Sequence, residues 1–296
     1  MTKGKLNVDV ADAITQLESM IKEFKLKRDI YRLIFRGKGL EFEGFRNYSP
    51  DDDASDIDWK ASSRAQELLV KQYKEERDLK IVFMLDVGSN MVFGSTKKIK
   101  CEYALELIAA LANLMLDFND AIGLILFNDK VTQYIECKKG RKQMEIFMDI
   151  LSHGETYGEK SNINNALDFA TDYLNESIFS VIIISDLLSS TNETEKKLSL
   201  LASMFETIVI RVRDPLDVHL PNINGELIIE NTSNNSQLII NPKVAKESYE
   251  KYVQQKEKLI EEIIKGSNVD YLDLMTSEPF AVSLAIFLKE RIENKI

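Results

Sequence analysis

Asp86 and Asp186 are the residues with which chemistry could begin. Each closes an apolar run, FMLD at Phe83–Asp86 and IIISD at Ile182–Asp186. Each carboxylate is therefore expected at the carboxyl end of a buried strand. Taken alone, such a carboxylate marks only the point where a strand reaches water. The neighbouring text adds oxygen donors. VGSN after Asp86 offers Ser89 and Asn90, and YGEKSNINNAL, between the two strands, places Ser161 where it can open a helix beginning near Ile163. Two carboxylates, an amide and one or two hydroxyls make a hard-oxygen set of the kind that suits Mg2+ or Mn2+. Asp86, Asn90, Ser161 and Asp186 are the candidate metal ligands.

These residues can meet only if the chain sets their strands side by side. Ile81–Asp86, Ala121–Phe127, Ser180–Leu187 and Thr207–Val212 are near-continuous apolar runs, as expected of strands covered on both faces. VTQYIEC can pair beside the second, and VDYLDLM reads as a last strand. Helices are expected at 10–34, 101–118, 141–151, 163–174, 197–205, 242–265 and 277–290, and a hairpin at 226–240. Strand signals also occur at 68–73. Alternation of this kind predicts an α/β protein with a mostly parallel sheet flanked by helices. Ligands in such sheets settle outside the carboxyl ends of the strands, at a switch in strand order.

Composition excludes several classes. With 296 residues, 44% of them hydrophobic, the chain can bury a large core, and only 12 glycines and 5 prolines argue against wholesale disorder. A net charge of −10 disfavours non-specific binding to nucleic acid or to an anionic membrane. Cys101 and Cys137 lack metal or disulfide-framework spacing. The absence of a signal-like start and of a long apolar window predicts a cytoplasmic protein without membrane insertion. Residues 1–78 form the expected N-terminal helix and extension, and 79–296 the main domain with a C-terminal hairpin, helix, strand and helix.

The order of Asp86, Gly88, Asn90, Ser161 and Asp186 resembles the metal-ion-dependent adhesion site of von Willebrand factor A domains, over about residues 79–212. Asp86 and Asp186 match its aspartates and Ser161 its threonine. Gly88 and Asn90 stand where the pattern has serines, so one position supplies no side-chain ligand and the other a neutral amide. Residues 37–217 more specifically resemble the bacterial domain-of-unknown-function 58 (DUF58) family, in which a signature segment precedes a von Willebrand factor A-like domain. Arg46, Tyr48, Pro50, Asp52 and Asp53 fit its second block, Ile57, Asp58, Trp59, Lys60 and Arg64 its third, and Glu75–Arg77 its fourth. The resemblance implies a von Willebrand factor A-like, Rossmann-like fold with an N-terminal family-specific extension. It also implies a non-enzymatic binding or adaptor role beside a MoxR-type AAA+ ATPase, in maturing or remodelling a client protein. Recognition would be Mg2+-dependent if the adhesion site is intact, and metal-free if it has decayed. A metal-dependent hydrolase using Asp86 and Asp186 is the enzymatic alternative, although no base is evident.

The signature residues have internal roles by expectation. Trp59 should bury its ring to anchor an irregular segment, and Arg64 should hold a carboxylate. DDDASDID puts five carboxylates in eight residues, which Arg46, Lys60 and Arg64 would partly neutralise. It is not a calcium loop, because positions 56 and 62 are Asp and Ser rather than Gly and Glu. No P-loop is present. His153 and His219 lack a ligand pair, Ser89 lacks a base, and the basic run at Lys138–Lys142 reads as a solvated helix start.

Overall fold

The computed structural model describes residues 6–23, 42–49, 57–73, 79–231 and 236–295. Its centre is a six-stranded sheet of β3 (Lys80–Asp86), β4 (Ala121–Phe127), β5 (Val131–Lys138), β6 (Ser180–Ser185), β7 (Glu206–Arg213) and β10 (Asp270–Met275), in the order β10-β7-β6-β3-β4-β5. All neighbours are parallel except β4 and β5, which form an antiparallel pair at one edge. The mostly parallel α/β sheet expected from the apolar runs is thus found. From Ile81 to Asp86, and from Ser180 to Ser185, every residue is buried, as a strand covered on both faces requires. At the edge, β5 alternates instead and turns polar residues outward.

Alternate side chains of each strand feed two apolar layers. On one face, Ile81, Phe83 and Leu85 pack with α1 (Val10–Glu23), α3 (Lys100–Asp117), α4 (Arg141–Leu151) and α9 (Phe280–Lys295). On the other, Val82 and Met84 pack with α5 (Ile163–Tyr173), α6 (Thr194–Met204) and α8 (Pro242–Gly266). Leu17 of α1 is 1% exposed against the first layer. The expected continuation of that helix to residue 34 lies outside the described residues. α7 (Pro215–Val218) follows β7, with Pro215 in its first turn, where the missing N–H costs nothing.

Two smaller sheets complete the chain. β1 (Phe42–Asn47) pairs antiparallel with β2 (Leu69–Tyr73), and between them lies α2 (Trp59–Ala65). Asp58 caps α2, accepting from the N–H groups of Lys60 and Ala61 at 3.0 and 2.9 Å. β8 (Leu227–Asn231) and β9 (Ser236–Ile240) form the expected hairpin.

Candidate functional site

The chain leaves β3 for β4 on one side, while β6 lies on the other, so the switch in strand order falls between β3 and β6. Leu85 pairs with Ile184 there, bringing Asp86 and Asp186 to the same end of the sheet. Backbone bonds stitch a second loop onto that end: Gly158 N–H donates to the Val87 carbonyl at 2.8 Å, Ser89 N–H to Glu159 at 2.7 Å and Asn162 N–H to Asn128 at 2.8 Å. Asn162, rather than Ser161, caps α5 by accepting from Asn164 N–H. The Ser161 hydroxyl is thereby left to donate to Asp86 Oδ2 at 2.8 Å.

Asp86 is wholly buried and collects four donors. Gly88 N–H reaches Oδ1 at 2.8 Å, and Ser161, Ser185 and the Asn90 amide reach Oδ2 at 2.8, 2.8 and 3.1 Å. The same Asn90 nitrogen donates to Asp186 Oδ1 at 2.8 Å. All four residues singled out as candidate ligands are therefore brought together. Burial, and then the charge of Asp186, push the Asp86 carboxyl up to about 6 against the pull of its hydrogen-bond donors.

Three contributors are not evident from the motif. Ser185 ends β6, directly after the Ile184 that pairs with Leu85, and donates its hydroxyl to Asp86 Oδ2. Lys100, the first residue of α3, is 1% exposed, and its ammonium lies 2.7 Å from Asp186 Oδ2 and 3.0 Å from Asp217 Oδ2. Burial acts to lower the Lys100 pKa, but the carboxylates of Asp186 and Asp217 outweigh it and hold the ammonium above its ordinary value. A lysine at the positive end of a helix is electrostatically misplaced unless carboxylates face it. That misfit is the one signal in the sequence that pointed to Lys100. Asp217, on α7, had none.

The loop leading to Lys100 has its own anchor. Asp214, fully buried, accepts from Ser95 N–H at 2.7 Å, Ser95 Oγ at 2.5 Å and Thr276 Oγ1 at 3.1 Å, and caps α7 through Leu216 N–H at 2.9 Å.

The residues present do not fit a divalent ion in this arrangement. Asn90 turns its N–H2 toward both carboxylates, Gly88 supplies no ligand, and an ammonium already neutralises Asp186. Gly88 leaves no gap either, since a Cβ there would lie 2.4 Å from Asn90 Oδ1 and 2.7 Å from Ser161 Cβ. Among the described residues, no cluster of three or more His, Cys, Asp or Glu side chains is placed to hold a metal. One oxygen remains: Asn90 Oδ1 is buried and accepts no hydrogen bond among the described residues.

The signature segment corrects two expectations. Trp59 is 68% exposed rather than buried, because it opens α2 on that helix's outer side. Arg64 is also exposed, makes no ion pair among the described residues, and lines an open cleft of about 500 Å³ with Phe45, Lys60 and Leu69. Arg46 is exposed, with Nη1 donating to the Asn47 carbonyl at 3.3 Å, and Tyr48 is half-buried. Asp52 and Asp53 lie outside the described residues.

A mostly parallel sheet with helices on both faces, and with loop carboxylates gathered at its switch point, defines a von Willebrand factor A-like α/β protein. The chain belongs to the family described as protein of unknown function DUF58, which matches residues 44–259. An uncharacterised protein of Mycobacterium tuberculosis is 22% identical over 259 residues, covering 86% of this chain and 80% of that one. Among solved structures, the conserved hypothetical protein BatB from Bacteroides thetaiotaomicron is similar in fold, at 15% identity and a TM-score of 0.51, over 73% of this chain and 99% of that one. The SpRpn10 VWA domain matches at 12% identity and a TM-score of 0.43, over 71% and 94% of the two chains.

Proposed function

We propose that the chain is a non-enzymatic binding or adaptor protein whose recognition face is the loop cluster at the carboxyl ends of β3 and β6. One observation carries this. Asp86, Asn90, Ser161 and Asp186 converge, yet the Ser161 and Ser185 hydroxyls are both spent as donors to Asp86. Among the described residues, no histidine or thiol hydrogen-bonds to the cluster to serve as base or nucleophile, which favours recognition over hydrolysis. Glu159 and Lys160 are exposed at the rim, with Leu188 and Ser189 partly exposed beside them, so the face is accessible although its centre is closed. Family resemblance supplies the partner class, a MoxR-type AAA+ ATPase acting with this chain on a client protein.

The family resemblance alone carries the rival reading, in which recognition depends on Mg2+ or Mn2+, against the amide and the ammonium that already bridge and neutralise these carboxylates. Titrating the chain with a MoxR-type ATPase, in Mg2+ and again in EDTA, tests both. Saturable binding that Lys160→Glu weakens by about tenfold supports the recognition face. Binding that ignores charge reversal at Lys160 and bulk at Ser189 would overturn it. Loss in EDTA selects the metal-dependent form.

A further inference from the structure

We infer that Lys100 is the resident cation of this site, and that Gly88 and Asn90 are matched residues that let a lysine ammonium and a side-chain amide do what a divalent ion does between carboxylates. The inference extends the reading of this loop cluster as a recognition face, but its test uses no partner, so either can fail alone.

The charges come first. Asp86 and Asp186 are fully buried and the Asp217 side chain is 9% exposed. Carboxylates in such surroundings need a counter-charge or a full set of donors. Lys100 meets two of them at 2.7 and 3.0 Å, with the Phe93 ring centroid 5.6 Å from its nitrogen. The ammonium is thus enclosed by two carboxylates and an aromatic face. Nothing in α3 itself favours a cation at its first residue, because the helix end there is positive. The carboxylates account for its position.

The bridge comes second. A divalent ion joins two loops by accepting oxygens from both. Here the Asn90 nitrogen makes that link with hydrogen bonds, one to Asp86 and one to Asp186. Its orientation is set by those partners, since an amide oxygen turned toward two carboxylates would be repelled. Every oxygen of Asp86 and Asp186 is then occupied: Asp86 by its four donors, Asp186 Oδ1 by Asn90 and the Leu188 N–H at 2.9 Å, and Asp186 Oδ2 by Lys100.

The fit of Gly88 comes third. Its φ is −64°, a conformation open to any residue, so backbone freedom does not demand glycine. Space does. The Asn90 oxygen occupies the volume that a side chain at position 88 would need. Glycine at 88 and asparagine at 90 therefore belong together. A site with this pair is complete without metal, whereas two serines in their place would leave the carboxylates without the amide bridge.

The experiment is a Mn2+ titration followed by electron paramagnetic resonance, with thermal melting in Mg2+ and in EDTA, on the unmutated chain and on Lys100→Met. The unmutated chain is expected to leave Mn2+ free through the millimolar range and to melt at one temperature in both buffers. Lys100→Met is expected to melt below its parent in both buffers, and, with Gly88 and Asn90 still in place, to leave Mn2+ free. One-to-one Mn2+ binding by the unmutated chain, lost in Asp86→Asn, would overturn the inference. So would a Lys100→Met variant as stable as its parent in EDTA. If Lys100→Met does not fold, the titration of the unmutated chain decides.

Discussion

Arg211 holds Glu257 in a two-pronged contact, with Nη1 to Oε2 at 2.8 Å and Nη2 to Oε1 at 2.6 Å. Its Nε donates to the backbone carbonyl of Asp186 at 3.1 Å, so the contact ties α8 to the loop that carries the site. Arg211 is 2% exposed. Removing its partner leaves a buried guanidinium without its paired carboxylate, and Glu257→Ala should cost about 3 kcal/mol in chemical denaturation.

The same contact sets an acid limit. Hydrogen bonds from Arg211, opposed by burial and helped by the Arg211 and Arg213 charges, hold the Glu257 carboxyl below its ordinary value of 4.5. A depressed carboxyl contributes stability that is fully present above 4.5 and is lost as the pH falls through the lower folded value. Glu257→Gln should therefore flatten the fall in stability below pH 4.5. Denaturation curves collected across that range, with an unchanged pH slope in the variant, would disprove it.

Gly88→Ser tests crowding. The added Cβ would meet Asn90 Oδ1 at 2.4 Å and Ser161 Cβ at 2.7 Å. The expected cost is about 1–3 kcal/mol, as for other overpacked sites. Combining it with Asn90→Ala should cost less than the sum of the two, because the second change vacates the space the first requires. Additive costs in a double-mutant cycle would show that the two positions are independent.

Trp59 is the only tryptophan, so fluorescence reports on it alone. At 68% exposure it should emit as indole in water does and be quenched freely by acrylamide in the native state. Trp59→Ala should change stability by no more than about 0.5 kcal/mol, the usual range for a surface substitution. A blue-shifted, protected emission would place the ring in an interface instead.

Burial pushes the Cys101 and Cys137 thiols up to about 12. Since the thiolate is the reactive form, neither should react with iodoacetamide at pH 8 until the chain unfolds. Mass spectrometry of native and denatured samples should count no adducts in the first and two in the second.

Much of this architecture was legible because burial on both faces writes continuous apolar runs, as at Ile81–Leu85 and Val181–Ile184. The aspartates that end those runs, and the serine ahead of α5, located the site. What could not be read was which distant side chains complete it. Lys100 meets Asp217 across 117 residues, and no local period encodes such a pairing. Ser185 was hidden inside an apolar run that disclosed only its strand. Trp59 misled for a related reason: its size predicts burial on average, while its direction depends on how a short helix lies on its own two-stranded sheet.

Asp214 bears on when the site can form. The turn before α3 is fastened to it through Ser95, and Thr276, beyond β10, holds the other side of the same carboxylate. A ribosome that has made β3, α3 and β4 has not yet made either anchor. The loop that delivers Lys100 must wait for almost the whole chain, while the sheet at its base can already begin to pair. A copy cut short before Thr276 would have a sheet but lack one of the hydrogen bonds that hold the Asp214 carboxylate in place.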